Sequence, residues 1–228
     1  MLEISNVKVY DLKESIIACR NAMRLEPPQY TEEEFQKGLE RAKKLVNASY
    51  TDKNVHCHDN FMTGIRVSFD MKYTQYITKQ MQRYHWFDYV SSSSLMHRIT
   101  KMDFSKCCNK YVPQSIVDEM NALISEYNQI TDMPAENFAP MQIVLRNEIV
   151  QCNTKQEALY TKFMQVISTC PMGTELFVRV STNYKQLQTM YWQRNHHKLK
   201  EDWGAFRKFV ESLPYANELI LGKIHEEQ

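Results

Sequence analysis

The stretch CPMGTELFVRVSTNYKQLQTMYWQR, residues 170–194, decides the fold. Pro171 and Gly173 end whatever precedes them, and ELFVRVS (175–181) alternates apolar and polar residues, predicting the cleanest strand in the chain. Asn183 stands where a helix N-cap belongs. Leu187, Met190, Tyr191, Arg194 and Lys198 share one broad face of a helix predicted over 184–200.

Outward from that block, apolar spacing predicts helices over 155–168 and from Pro113 for about fifteen residues through Ile116, Met120, Leu123, Ile124 and Tyr127. IRVSFDM (65–71) predicts a second strand, followed by a helix from Tyr73 to about Tyr84. HWFDYVSSSSLMHR (85–98) is ambiguous and is expected to be a loop with a helical turn. Thr31 and Glu34 form a capping-box signature for a helix through Val46, and polar residues 47–61 predict a loop. Further helices are expected over 14–23 and 203–213. Two clear strands and five or six helices without strict alternation predict an α+β fold, one domain over 1–228 with helices around a small, mostly antiparallel sheet.

Composition excludes several functions. The 228 residues hold five glycines, too few and too scattered for a Walker A loop, a dinucleotide fingerprint or a kinase-type loop. A nucleotide bound here must be held by side chains and helix ends. A net charge of +1 argues against non-specific nucleic-acid binding, which needs surplus Lys and Arg. No apolar run approaches membrane-spanning length, and MLEISNVKVYDLKES has no apolar signal-peptide core, so no membrane association and a cytoplasmic address are expected. The six cysteines, without a CxxC pair, are expected to remain reduced.

Four constellations offer chemistry. Arg83-Tyr84-His85, Ser91–Ser94 and His97-Arg98 concentrate imidazoles, guanidiniums and hydroxyls, a mixture suited to phosphate; as a helical turn, Ser93/His97 and Ser94/Arg98 would pair at i, i+4. The alternative is a polar loop with Arg83 capping the preceding helix. His56-Cys57-His58 with His196-His197 offers zinc ligands but lacks the spacing of an established site, and no metal is expected. Cys57 or Cys170 as a nucleophile lacks a recognisable local frame. Arg194, on a mostly apolar face, needs an anionic partner, either a carboxylate of the chain or a bound phosphate.

The sequence resembles the flavin-dependent thymidylate synthases. That family carries an Arg-His-Arg-x-x-Ser-x-Asn-Glu-x-Ser-x-Arg-Tyr signature after a strand and helix, then a Leu-Pro segment, a strand and an Asn-x-Arg-x-Leu helix ending in Leu-Arg. Here FDM, TQYITKQMQ and RYHWFDYVSSSSLMH stand in the same order, and 171–194 matches the second block without a gap. Gln80 and His58 fit a glutamine and a histidine of the family. The resemblance implies FAD as hydride carrier, methylenetetrahydrofolate and NADPH as co-substrates, and transfer of a one-carbon unit to C5 of a dUMP-like pyrimidine nucleotide. It also implies a homo-oligomer, a homotetramer in the family, with sites shared between subunits. Residue by residue, Arg83, His85, Ser91, Asn183 and Lys185 fall on the flavin side. Ser93, Ser94, His97 and Arg194 fall by the nucleotide, with Arg194 and Ser93 catalytic and Arg194 polarising the pyrimidine.

The chain departs from the signature at Tyr84 (His), His85 (Arg), Val90 (Asn), Ser91 (Glu), Leu95 and Met96 (Arg-Tyr), and Ile167 stands where an arginine grips the nucleotide phosphate. Two functions are thus expected: a flavin-dependent methyltransferase of this type, or a catalytically degenerate nucleotide-binding or structural homologue.

Overall fold

A computed structural model of the chain describes residues 2–51 and 58–222. In chain order the elements are β1 (Glu3–Tyr10), α1 (Leu12–Ala18), α2 (Glu32–Thr51), β2 (Arg66–Thr74), α3 (Gln75–Met81), β3 (Asp88–Ser92), α4 (Leu95–Arg98) and α5 (Phe104–Cys107). There follow α6 (Gln114–Asp132), β4 (Met141–Val144), β5 (Ile149–Cys152), α7 (Lys155–Thr169), β6 (Glu175–Asn183), α8 (Tyr184–Gln193) and α9 (Lys200–Glu211). The fold class is α+β. The chain divides into two compact units.

The first unit, Met1–Tyr73, Thr78–Ser91 and Phe177–Gln228, carries a four-stranded sheet in the order β1-β2-β6-β3. β1 and β2 are antiparallel, with an irregularity between Ser5 and Lys8 where Asn6 adopts a positive φ of 50°. Arg179 fastens this bulge by donating to the Asn6 carbonyl at 3.0 Å and to Asp70 at 3.1 Å. The period-2 patterns read from the sequence hold: Val67, Phe69, Met71 and Tyr73 of β2, and Val178 and Val180 of β6, are buried. Trp203, Phe206 and Phe209 of α9 join Phe69 and Phe87 in an aromatic core. α1 and α2 meet backbone to backbone at Gly38, where a Cβ would lie 2.7 Å from the Ile16 carbonyl oxygen.

The second unit, Thr74–Ile77 with Ser92–Leu176, is built on α6 and α7. Ile99, Phe104, Val117, Met120, Leu123, Ile124 and Val166 form its core. The antiparallel β4–β5 hairpin packs Ile143 and Cys152 against Ile130 and Ala158. α7 opens with a complete capping box, Thr154 and Glu157 each bonding the other's backbone N–H.

Several expectations are corrected. α2 runs to Thr51, past the expected end at Val46, and residues 52–57 of the loop predicted over 47–61 lie outside the described residues. Thr31 does accept from the Glu34 N–H at 3.2 Å, while the Glu34 carboxylate goes to Arg20 and Arg24. Residues 85–98 contain strand β3 as well as the expected turn α4. β3 has no alternating pattern because it is an edge strand with Val90 63% exposed, held by backbone pairing and not by a buried face. The β4–β5 hairpin escaped the periodicity because each strand has four residues. The helix expected to reach residue 200 ends at Gln193, where Arg194 leaves helical geometry (φ −106°, ψ 10°).

Candidate functional site

In the first unit, the residues carried over from the family gather along α8. Asn183 is buried at the N-terminus of this helix and caps it, accepting from the Gln186 N–H at 2.8 Å. Its side-chain oxygen is therefore committed to the helix. Lys185, two residues on, donates to the Asp59 carboxylate and to Gln188 Oε1 at 3.1 Å, with its side chain 38% exposed. Asp59 is 1% exposed, and its second oxygen has no hydrogen-bond partner among the described residues. No sequence signal announces this pair: the two residues are 126 positions apart.

Arg194 lies at the other end of α8, about 16 Å from Asn183 at the standard helical rise. Arg194 and the Asn183–Lys185 pair thus occupy opposite ends of one helix. The half-buried Arg194 guanidinium donates from Nε to the Tyr84 hydroxyl at 2.7 Å. It lies 4.7 Å from the Trp203 ring centroid and 5.3 Å from that of Tyr84. The Tyr84 hydroxyl donates in turn to Gln193 Oε1 at 3.1 Å. Trp203 is buried and fixed by its own N–H, which donates to Gln80 Oε1 at 3.1 Å. Among the described residues no carboxylate pairs with Arg194, so the alternative of an internal ion pair is not realised. Burial holds the Tyr84 phenol above its ordinary pKa despite the opposing charge of Arg194 and Arg83. It stays neutral and keeps its proton for Gln193.

The turn carrying Arg83 and His85 runs beside α8. Tyr84 meets the helix end as described, and the Trp86 N–H donates to Gln186 Oε1 at 3.3 Å near the helix start. Thr182 Oγ1 donates to the Trp86 carbonyl at 2.7 Å. Arg83 and His85 are exposed on this turn, His85 edge-on to Trp86 at 4.6 Å, and Ser91 is exposed on β3.

The remaining carried-over residues belong to the second unit. Ser93 is half-buried before α4, and Ser94 is the N-cap of α4, accepting from the His97 N–H at 3.4 Å. The expected i, i+4 side-chain pairs give way to this cap, since Ser93 and Ser94 precede the helix. His97 is exposed. Ile167 packs against the core of this unit, which explains an apolar residue at that position.

Two other constellations come apart. His56 and Cys57 lie outside the described residues, and His58 is exposed. Among the described residues no group of three His, Cys, Asp or Glu side chains is gathered as a metal site requires. Cys19, Cys107, Cys108, Cys152 and Cys170 are free thiols. Cys170 contacts Thr174 and Gln75, and burial pushes its thiol pKa up, which disfavours the nucleophilic thiolate.

His197 touches the same cluster, 5.9 Å from Trp203, and its Nδ1 accepts from the Leu199 N–H at 3.1 Å. Burial first, then the charges of Arg194 and Lys198, lower its pKa. The folded state therefore favours neutral imidazole. The associated stability is present above the unfolded value near 6.5 and falls as pH drops through the folded value. We expect the thermal midpoint of wild type to fall more steeply below about pH 6.5 than that of His197→Asn, which keeps an acceptor but does not titrate. Parallel midpoint curves would count against this assignment.

Comparisons place this arrangement among known folds. No protein-family model and no curated protein sequence matches the chain. The chain is similar in structure to the flavin-dependent thymidylate synthase of Helicobacter pylori complexed with FAD and dUMP, with 13% identity, TM-score 0.61, and 96% of this chain and 97% of that one covered. It is also similar to the UMP/dUMP methylase PolB of Streptomyces cacaoi bound with 5-Br dUMP, with 11% identity, TM-score 0.55, and 97% and 94% covered. Among the described residues no helix is long and apolar enough to cross a membrane. Over nearly its whole length, the chain has the fold of the flavin-dependent thymidylate synthases.

Proposed function

We propose that this protein is a flavin-dependent methyltransferase acting at C5 of a deoxyuridine or related pyrimidine nucleotide. One observation carries the proposal: Arg194 is anchored through Nε between two aromatic rings, leaving its two Nη groups without a hydrogen-bonding partner among the described residues. Such a guanidinium is a bidentate donor for a ligand oxygen. Arg194 binds the pyrimidine and polarises its carbonyl. Ser93, Ser94 and His97, in the second unit, are proposed as nucleotide-contacting residues on the strength of the family resemblance alone.

The exposed donors Arg83, His85 and Ser91 have the chemistry to hold an anionic, hydroxyl-rich cofactor such as FAD. Lys185 adds an ammonium group already oriented by Asp59, while Asn183 supports the site by capping α8. A bound flavin supplies the hydride, with methylenetetrahydrofolate as one-carbon donor and NADPH as reductant. The protein's own part is to bind both ligands and orient the pyrimidine. We also propose that it works as a homotetramer in the cytoplasm, the whole chain acting as one catalytic domain.

Purified protein with added FAD should show flavin absorption bands that shift on titration with dUMP. Absence of FAD binding at high micromolar concentration overturns the flavin assignment. One observation favours a second function, nucleotide binding without catalysis: Ile167 is committed to a hydrophobic core where the family uses an arginine. Growth of a thymidylate-deficient host carrying the gene selects the enzyme over this alternative.

A further inference from the structure

We propose that Tyr84 and Trp203 are positioning residues that hold Arg194 in the orientation in which it receives the nucleotide; this rests on the pyrimidine-nucleotide function proposed above. Arg194 sits at the last turn of α8, where a long side chain would otherwise sample many rotamers. Three contacts remove that freedom. The Tyr84 hydroxyl takes the Nε–H at 2.7 Å, and the Trp203 and Tyr84 ring centroids lie 4.7 Å and 5.3 Å from the guanidinium carbon. The Tyr84 hydroxyl is itself aimed, because its proton goes to Gln193 Oε1 at 3.1 Å. Trp203 is aimed by Gln80 at 3.1 Å and packed on Phe206.

Each N–H of a guanidinium points along a fixed direction in one plane. Fixing Nε and the plane therefore fixes both Nη groups. A ligand oxygen then meets donors that need no further ordering, and the entropy of immobilising the side chain is not charged to binding. Tyr84 stands at a position where the resembled signature has histidine. Its role here is consistent with its geometry: a phenol reaches Nε and lays its ring beside the guanidinium at the same time.

The test is a double-mutant cycle on the full-length, FAD-loaded protein, with dUMP affinity read by calorimetry. Tyr84→Phe removes the hydroxyl and keeps the ring. It should weaken dUMP about five- to tenfold, the factor set by ordering one rotamer-rich side chain, with FAD affinity and thermal midpoint unchanged. Arg194→Ala should weaken dUMP more strongly, and adding Tyr84→Phe to it should cause no further loss. That coupling separates positioning from a general structural effect. Trp203→Phe, which keeps an aromatic face, should give an intermediate loss that also vanishes in the Arg194→Ala background. If Tyr84→Phe binds dUMP as wild type does, or weakens the Arg194→Ala protein as much as wild type, the inference is wrong. If wild type binds FAD but fails to bind dUMP at millimolar concentration, the nucleotide assignment falls first and takes this inference with it.

Discussion

Replacing Lys185 by alanine should cost roughly 3 kcal/mol of stability, the usual result of stranding one partner of a buried ion pair. The asymmetry of the pair makes the prediction specific. Asp59 is 1% exposed, whereas the Lys185 side chain is 38% exposed. Without Lys185, a carboxylate that is itself 1% exposed and already has one oxygen unpartnered among the described residues loses its counter-charge. Without the Asp59 charge, the ammonium still reaches solvent and Gln188. Asp59→Asn should therefore cost only about 1 kcal/mol, close to the net worth of a single hydrogen bond. Denaturant melts of the two variants give the comparison directly. Equal losses from the two variants would refute this account.

Phe206→Ala should destabilise the first unit by about 3–5 kcal/mol, the range for deleting a buried aromatic side chain. Phe206 is fully buried, with ring centroids 5.5 Å from Trp203, 6.0 Å from Phe209 and 6.3 Å from Phe87. Its removal opens a cavity beneath the ring that supports Arg194. A drop in thermal midpoint of roughly 10 °C is expected for a chain of this size. Phe206→Leu, which refills most of the volume, should lose no more than about 1.5 kcal/mol. The two variants should also differ at the site: the alanine form loosens Trp203 and weakens dUMP binding, while the leucine form retains it. A Phe206→Ala midpoint within a degree or two of wild type would show that the aromatic cluster is not the core of this unit.

Chain-local rules were enough for much of the fold. β2, β6 and α6 were legible because each carries a periodic buried face, and α7 because its apolar spacing survives over four turns. Asn183 was legible as an N-cap because capping is a contact between near neighbours in sequence. β3 was not: an edge strand with exposed residues is defined by the strand it pairs with, and no window of its own sequence records that partner. The end of α8 is not legible in the sequence either. Its apolar spacing continues past Gln193, but the helix closes with Arg194 as its C-cap, whose N–H still donates to the Met190 carbonyl at 3.1 Å while its side chain meets Tyr84, 110 residues away.

The candidate site divides the same way. The sequence by itself determined that residues 171–194 form a strand running into a capped helix, and it called for an anionic partner for Arg194. It also determined that five scattered glycines leave side chains and helix ends to do the holding. Tertiary structure alone decided what those side chains meet. It paired Lys185 with a buried Asp59, placed Arg194 between Tyr84 and Trp203 instead of against a carboxylate, and gave Ile167 to a core. The physical reason is range. Propensity, periodicity and capping act within a few residues, whereas ion pairs and guanidinium–aromatic contacts are set by which surfaces the folded chain brings within a few ångströms.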